Sequence, residues 1–133
     1  MNNNNPVKTQ IKSNLKVVRL KPITSMLALT KKGGDIEFVN EIDIVYCKAD
    51  GGNTLIHLSD GRQLLIPKLL KNVLDSLSEN GFHRIHNSYI VNFSHARKFI
   101  KKNYGGELEL YDGSRIPVSG KNRNHILSLF KKI

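Results

Sequence analysis

Arg84, His86, Asn87 and Ser88 crowd together four side chains able to bond phosphate oxygens or base edges. A guanidinium forks onto phosphate or guanine, and a carboxamide both donates to and accepts from an adenine edge. These residues form the first half of Phe82–Asn92, which reads Phe-His-Arg-Ile-His-Asn-Ser-Tyr-Ile-Val-Asn. In the second half Tyr89, Ile90 and Val91 turn apolar and must enter a core. Half hydrogen-bonding tip and half anchor is the pattern of a contact loop fixed to a rigid body. A strand leaving the core with solvated polar residues produces the same pattern.

Other chemistries find little to work with. The chain shows no glycine-rich phosphate loop, nucleophile elbow or paired catalytic carboxylates. Cys47 could pair with a histidine as a nucleophile, but at the end of an apolar strand it reads as a small core residue. His83, His86 and His95 lack the cysteine pairs or HExxH spacing of a metal site. The expectation is a protein that is not an enzyme, with no cofactor, no metal and no evident small-molecule substrate.

The 133 residues suit one domain, and 39% apolar residues suit a folded one. No apolar run approaches the length that crosses a bilayer, and no signal-peptide pattern opens the chain. The one cysteine excludes an internal disulfide and fits a reducing compartment, so a cytoplasmic location is expected. The net charge of +10 is unevenly placed. Residues 1–34 hold seven bases and no acid; residues 35–81 hold four bases and eight acids; residues 82–133 hold ten bases and three acids. Such a field favours a polyanion lying on one face, nucleic acid before an anionic membrane, because no basic amphipathic helix with exposed aromatics appears. The bland alternative is charge that serves solubility alone.

Residues 1–14 are polar and basic and are expected to form a disordered arm, with the domain spanning 15–133. Leu15–Leu20 alternates apolar and basic residues as a first strand, Met26–Thr30 reads as a second and Asp35–Val39 as a third. Asn40-Glu41 starts a brief helical turn before the apolar run through Ile42, Ile44, Val45 and Tyr46. Two hairpins echo each other: Leu55–Ser59 meets Arg62–Ile66 across Asp60-Gly61, and Glu107–Tyr111 meets Ser114–Val118 across Asp112-Gly113. Asp-Gly between apolar runs suggests type I′ turns, whose two central residues need positive φ. A helix follows each hairpin. The first is expected to begin at Pro67, present Leu69, Leu70, Val73, Leu74 and Leu77, and close at Gly81. The second runs from about Lys121 with Ile126, Leu127, Leu129, Phe130 and Ile133 as its face and Ser119 as N-cap. Between them Ala96–Lys102 reads as a strand with Phe99 and Ile100 inward. Short β-strands therefore predominate, with two small helices.

The common nucleic-acid modules do not fit: no helix-turn-helix run, no Cys₂His₂ spacing, and few aromatics for stacking single strands. A basic, β-rich domain reading duplex DNA through loops remains. At this point Phe82–Asn92 resembles the signature of the LytTR DNA-binding domain family, and Asp112-Gly113 with Ile116-Pro117-Val118-Ser119 resembles its second signature. The Ile44-Val45-Tyr46 strand, the Asp60-Gly61 hairpin and the helix at 67–77 fall in the family's order, so the likeness covers about residues 27–133. It implies a mainly β fold of stacked small antiparallel sheets with two short helices, and transcriptional control by loops entering neighbouring major grooves.

Residue by residue, the resemblance implies contacts from Asn53, in the Asp50-Gly51-Gly52-Asn53 loop; from Asn87, in the His-Asn-Ser signature; and from Lys121, where the family usually has a base. Gly120 departs from the pattern, since many members carry arginine there. Arg84 and Arg123 are expected on phosphates, with Ser88 beside them. Alternatives stay open: Asn53 as a turn residue, Lys121 as a solvated helix start, and His86 as a hydrogen-bonded organiser of its loop. Lys48, Lys98, Lys101 and Lys102 add non-specific charge. Too few residues precede the likeness for the receiver domain of many relatives, which suggests a stand-alone bacterial regulator or a fragment. The expected function is a sequence-specific regulator of double-stranded DNA, as a homodimer on repeated half-sites. The alternative is a β-rich adaptor binding RNA or an acidic partner through its basic face.

Overall fold

The computed structural model describes residues 26–77 and 81–133. The expected arm at 1–14 and the strand at Leu15–Leu20 lie outside the described residues. In chain order the elements are β1 (Met26–Thr30), β2 (Ile36–Asn40), a 3-10 turn (Glu41–Asp43), β3 (Ile44–Asp50), β4 (Asn53–Leu58), β5 (Gln63–Ile66) and α1 (Leu70–Ser76). There follow β6 (Phe82–His86), β7 (Tyr89–Asn92), a second 3-10 turn (Phe93–His95), β8 (Ala96–Lys101), β9 (Gly106–Leu110), β10 (Arg115–Val118) and α2 (Gly120–Ser128). The expected mainly β architecture is present.

Three antiparallel sheets stack: the pair β1-β2, a central sheet ordered β5-β4-β3-β7-β6, and an outer sheet ordered β10-β9-β8. The apolar runs of β3 and β7 follow from the central position, since a strand covered on both faces alternates between two cores rather than between core and water. Cys47, Ile56 and Ile90 point to the core closed by β1-β2 and α1. Val45, Ile85 and Val91 point to the opposite core, closed by the outer sheet and Ile126 of α2. The two asparagines at strand ends do parallel work. Asn40 Oδ1 accepts from the Ile42 N–H at 3.2 Å, and Asn92 Oδ1 accepts from the Ser94 N–H at 3.1 Å, each starting a 3-10 turn.

Three local expectations are corrected. The Asp-Gly hairpins do not turn on Asp-Gly. The Gly61 N–H bonds the Leu58 carbonyl and the Leu58 N–H bonds the Arg62 carbonyl, so Ser59 and Asp60 are central and Gly61 follows at φ +92. Leu110, Gly113 and Ser114 repeat this, which is the three-residue loop in which one left-handed glycine closes the turn. Asp60 and Asp112 contribute Oδ1 atoms that accept from the Arg62 and Ser114 N–H groups.

Helix α1 begins at Leu70 rather than Pro67, because Pro67 and Lys68 bend the chain away from β5 and Leu69 stays extended and exposed. Helix α2 ends at Ser128, so of its expected face only Ile126 is buried; Leu129, Phe130 and Ile133 lie beyond the helix and are exposed. Phe130 instead stacks on Phe93 at 5.4 Å between ring centres. Ser119 does occupy the N-cap position of α2, but its side chain makes no cap hydrogen bond.

Candidate nucleic-acid interface

The central sheet delivers two loops to one end. β3 and β4 turn through Gly51, at φ +60, and Gly52, placing Asn53 at the first position of β4 opposite Asp50. β6 and β7 turn through Asn87 and Ser88. The loops are joined where the Ala49 N–H donates to the Ser88 carbonyl at 2.8 Å, next to the Lys48–Tyr89 ladder pair. The anchor and tip inferred for Phe82–Asn92 are therefore real: Ile90 and Val91 are fully buried while Asn87 is exposed.

The tip holds its own shape. The Arg84 guanidinium donates to the Asn87 carbonyl at 2.6 Å, and the Ser88 N–H donates to His86 Nδ1 at 3.1 Å. His86 thus acts as an organiser of the loop, half-buried against the Tyr89 ring at 5.8 Å. Arg84 clamps the turn with one arm and keeps its other donors outward. The Asn87 carboxamide makes no hydrogen bond among the described residues, so its donor and acceptor pair stays unused.

A bulge brings the third contact to the same end. The β6–β7 register shifts between Arg84 and His86, leaving Ile85 without a ladder partner. Its side chain drops into the second core, and its carbonyl accepts from the Ser119 N–H at 3.1 Å. The start of α2, with Lys121 exposed, is thereby tied next to His86 and Asn87. Arg123 lies half-buried and donates to the Lys102 carbonyl at 3.0 Å, which pins the β8–β9 turn onto α2. Gly105 in that turn takes φ +69 and lies against the Val118 carbonyl, where a side chain would collide.

Gly120, the departure from the family pattern, is covered by an exposed side chain. The ring of Tyr104 lies where its Cβ would project. Tyr104 is 80% exposed and stands over the residue before Lys121, a neighbour that sequence reading missed. Its signal was an aromatic beside two glycines in a basic turn. Asn53, Arg84, His86, Asn87 and Ser88 lie on the two joined loops, Lys121 follows the tied Ser119, and Arg123 turns to the β8–β9 turn.

Charge is distributed to match. At the far end of β4, about 17 Å away at ~3.4 Å per strand residue, Arg62 bonds Glu37 and Asp60 at 2.6 and 2.9 Å, and Lys31 bonds Glu37 at 2.9 Å. On the outer sheet Arg97 and Arg115 hold Glu109 at 2.7 and 3.2 Å, and Lys102 lies 3.8 Å from Glu107. At the loop end, among the described residues, Lys48, Arg84, Lys121 and Arg123 have no acidic partner within 4 Å. The paired cations cancel locally; Lys32, Lys68, Lys71, Lys98, Lys101, Lys131 and Lys132 are likewise without an acidic partner within 4 Å among the described residues, so unpaired charge is not confined to the loop end. Asp50 is the acid at this tip, and it is exposed.

Burial pushes the Cys47 thiol up to about 12, which leaves no thiolate nucleophile at neutral pH. Among the described residues no three His, Cys, Asp or Glu groups converge as a metal site would require. No described helix is long and apolar enough to cross a membrane.

Comparison with known proteins agrees with this fold. The model of the LytTr DNA-binding domain family matches residues 34–131. A transcriptional regulator of Rhodospirillum rubrum, the CO-responsive RcoM, is 34% identical over 82 residues, which are 62% of this chain and 34% of that protein. The chain thus spans about a third of that relative's length. A solved LytTr DNA-binding domain from a Bacillus cereus response regulator has the same fold: TM-score 0.69 at 23% identity, covering 79% of this chain and 95% of that one.

Proposed function

This chain belongs to the LytTr DNA-binding domain family, and on that premise we propose that it is a sequence-specific transcription regulator reading neighbouring major grooves of double-stranded DNA. Asn53 and Asn87 read base edges, Lys121 reaches a guanine edge or a phosphate, and Arg84, Ser88 and Arg123 hold phosphates while His86 keeps the loop in shape. The observation that carries the proposal is the pair of backbone hydrogen bonds, Ala49 N–H to the Ser88 carbonyl and Ser119 N–H to the Ile85 carbonyl, that ties the three loops bearing these residues to one another. Phosphate contacts fix register and base contacts supply specificity, and this edge offers both kinds of group side by side.

The Rhodospirillum relative is a transcriptional regulator, which supports the regulatory role. One module of this size covers roughly 600–1,000 Å² of a DNA interface, the low end for specific binding. A pair of protomers on repeated half-sites supplies the rest.

Backbone amide shifts during titration with a short duplex at low salt test the assignment. They should concentrate at 50–53, 86–88, 102–105 and 119–123 and leave the Ser59–Arg62 turn unmoved. Shifts centred on the Arg62 end would overturn it.

A further inference from the structure

Between the β1-β2 pair, the central sheet and α1 lies a cavity of about 300 Å³ that the DNA-reading loops do not use. Its floor is made by Ile56, Ile66, Val73 and Leu77, all buried in the first core, with Leu29 closing it from β1. Thr30, Lys68 and Ser76 also line it, and all three are exposed, so they mark its open side. An apolar interior with a few polar groups at one end is the usual form of a small-molecule site, and this volume stands at the lower bound for one.

The charge at the opening selects among ligands. Among the described residues Lys68 is the only charged one in the lining. Among the described residues it has no acidic partner within 4 Å, and neither do Lys32, two residues beyond Thr30, and Lys71, one turn on. At ~30 Å³ per water-sized group the interior takes an apolar body of about ten carbons.

The cavity touches the reading edge through one buried side chain. Thr54 is fully buried, and its Oγ1 donates to the Lys68 carbonyl at 2.8 Å. Thr54 follows Asn53 directly, and its strand position pairs with Ile66 of the cavity floor. A ligand seated against Ile66 and Lys68 therefore lies against the strand partner and the hydrogen-bond partner of Thr54, the residue that follows Asn53.

We propose that this cavity binds a small anionic amphiphile, its carboxylate at Lys68 and its apolar body among Ile56, Ile66 and Val73, and that occupancy is transmitted through Thr54 to the Asn53 loop. Binding stands independently of DNA reading; the consequence for DNA rests on the function proposed above.

The test uses the full chain with decanoate, and decanol as the uncharged control. Calorimetry should show one saturable decanoate site, with decanol weaker. Lys68→Gln, a surface change that spares the fold, should weaken decanoate about fivefold and leave decanol unchanged, the size expected of an exposed ion pair. Amide shifts should appear at Asn53 and Thr54 on addition of decanoate. In Thr54→Val decanoate should still bind while the Asn53 shift shrinks. Absence of saturable binding, or decanol and decanoate binding alike with Lys68→Gln silent, would overturn the site. Saturable binding with no Asn53 shift would overturn the relay and leave DNA reading untouched.

Discussion

Two asparagines five residues apart should respond to the same substitution in opposite ways. Asn87 is exposed and its carboxamide bonds nothing among the described residues; only its backbone carbonyl is used, by Arg84 at 2.6 Å. Asn87→Ala keeps that carbonyl, so the fold loses nothing and the melting temperature should stay within about 2 °C, as for a surface change of under 0.5 kcal/mol. Binding to the preferred duplex should weaken by about 1–3 kcal/mol, with little change on random DNA. Asn92 is 4% exposed, and its side chain bonds the Ile44 carbonyl at 3.0 Å, the Ser94 N–H at 3.1 Å and the Ser94 hydroxyl at 2.8 Å. Asn92→Ala strands the buried Ile44 carbonyl and frees the 3-10 turn behind it. With about 1–3 kcal/mol for an unsatisfied buried group and about 1 for each of the two further bonds, the loss is about 3–5 kcal/mol. In a domain of roughly 100 residues that lowers the melting temperature by about 10 °C or more. Thermal melts and quantitative gel shifts on both variants separate the effects. An Asn92→Ala protein melting with the parent, or an Asn87→Ala protein that unfolds, would refute the division of this stretch into anchor and reader.

Further consequences follow from charge and burial. Lys121→Ala should lower the slope of log affinity against log salt by about one unit, whereas Lys102→Ala should lower it by less, because Glu107 lies 3.8 Å from Lys102; equal slopes for the two variants would contradict the charge map. The His83 imidazole is held below its ordinary value by burial and by His125, so its neutral form favours the fold. That contribution is complete above about pH 6.5, the unfolded value, and is lost as pH falls below it toward the depressed folded value. His83→Gln should therefore flatten the fall in melting temperature between about pH 7 and 5.5, and an unchanged fall would exclude His83 as its source. Cys47, fully buried with its thiol near 12, should resist alkylation at about pH 8 until the protein is unfolded; rapid labelling of the native protein would contradict its place in the core.

Local pattern made much of this legible. The apolar runs around Tyr46 and Ile90 announced strands entering a core, and the Asp-Gly pairs announced hairpins, since a left-handed residue favours glycine. The same pattern misplaced what depends on the backbone path beyond a few residues. Leu69 has the right spacing for α1, yet the bend at Pro67 and Lys68 leaves it outside the helix. Leu129 and Phe130 continue the stripe of α2 past its end, because periodicity carries no stop signal there. Ion pairing was invisible for a different reason. Glu37 and Arg62 are 25 residues apart, so no composition count shows that Arg62 is neutralised while Lys121 is free. The place of Tyr104 over Gly120 likewise needed the fold, because a turn and the start of α2 are brought together by Arg123 and Lys102.

The central claim is that loops at one edge read duplex sequence. Selection of bound duplexes from a random library by the full chain tests it most directly. The account predicts recovery of one motif, with two copies at fixed spacing where two protomers bind, and loss of that preference in Asn87→Ala. Recovery of unrelated sequences, with affinity set by salt alone, would contradict it.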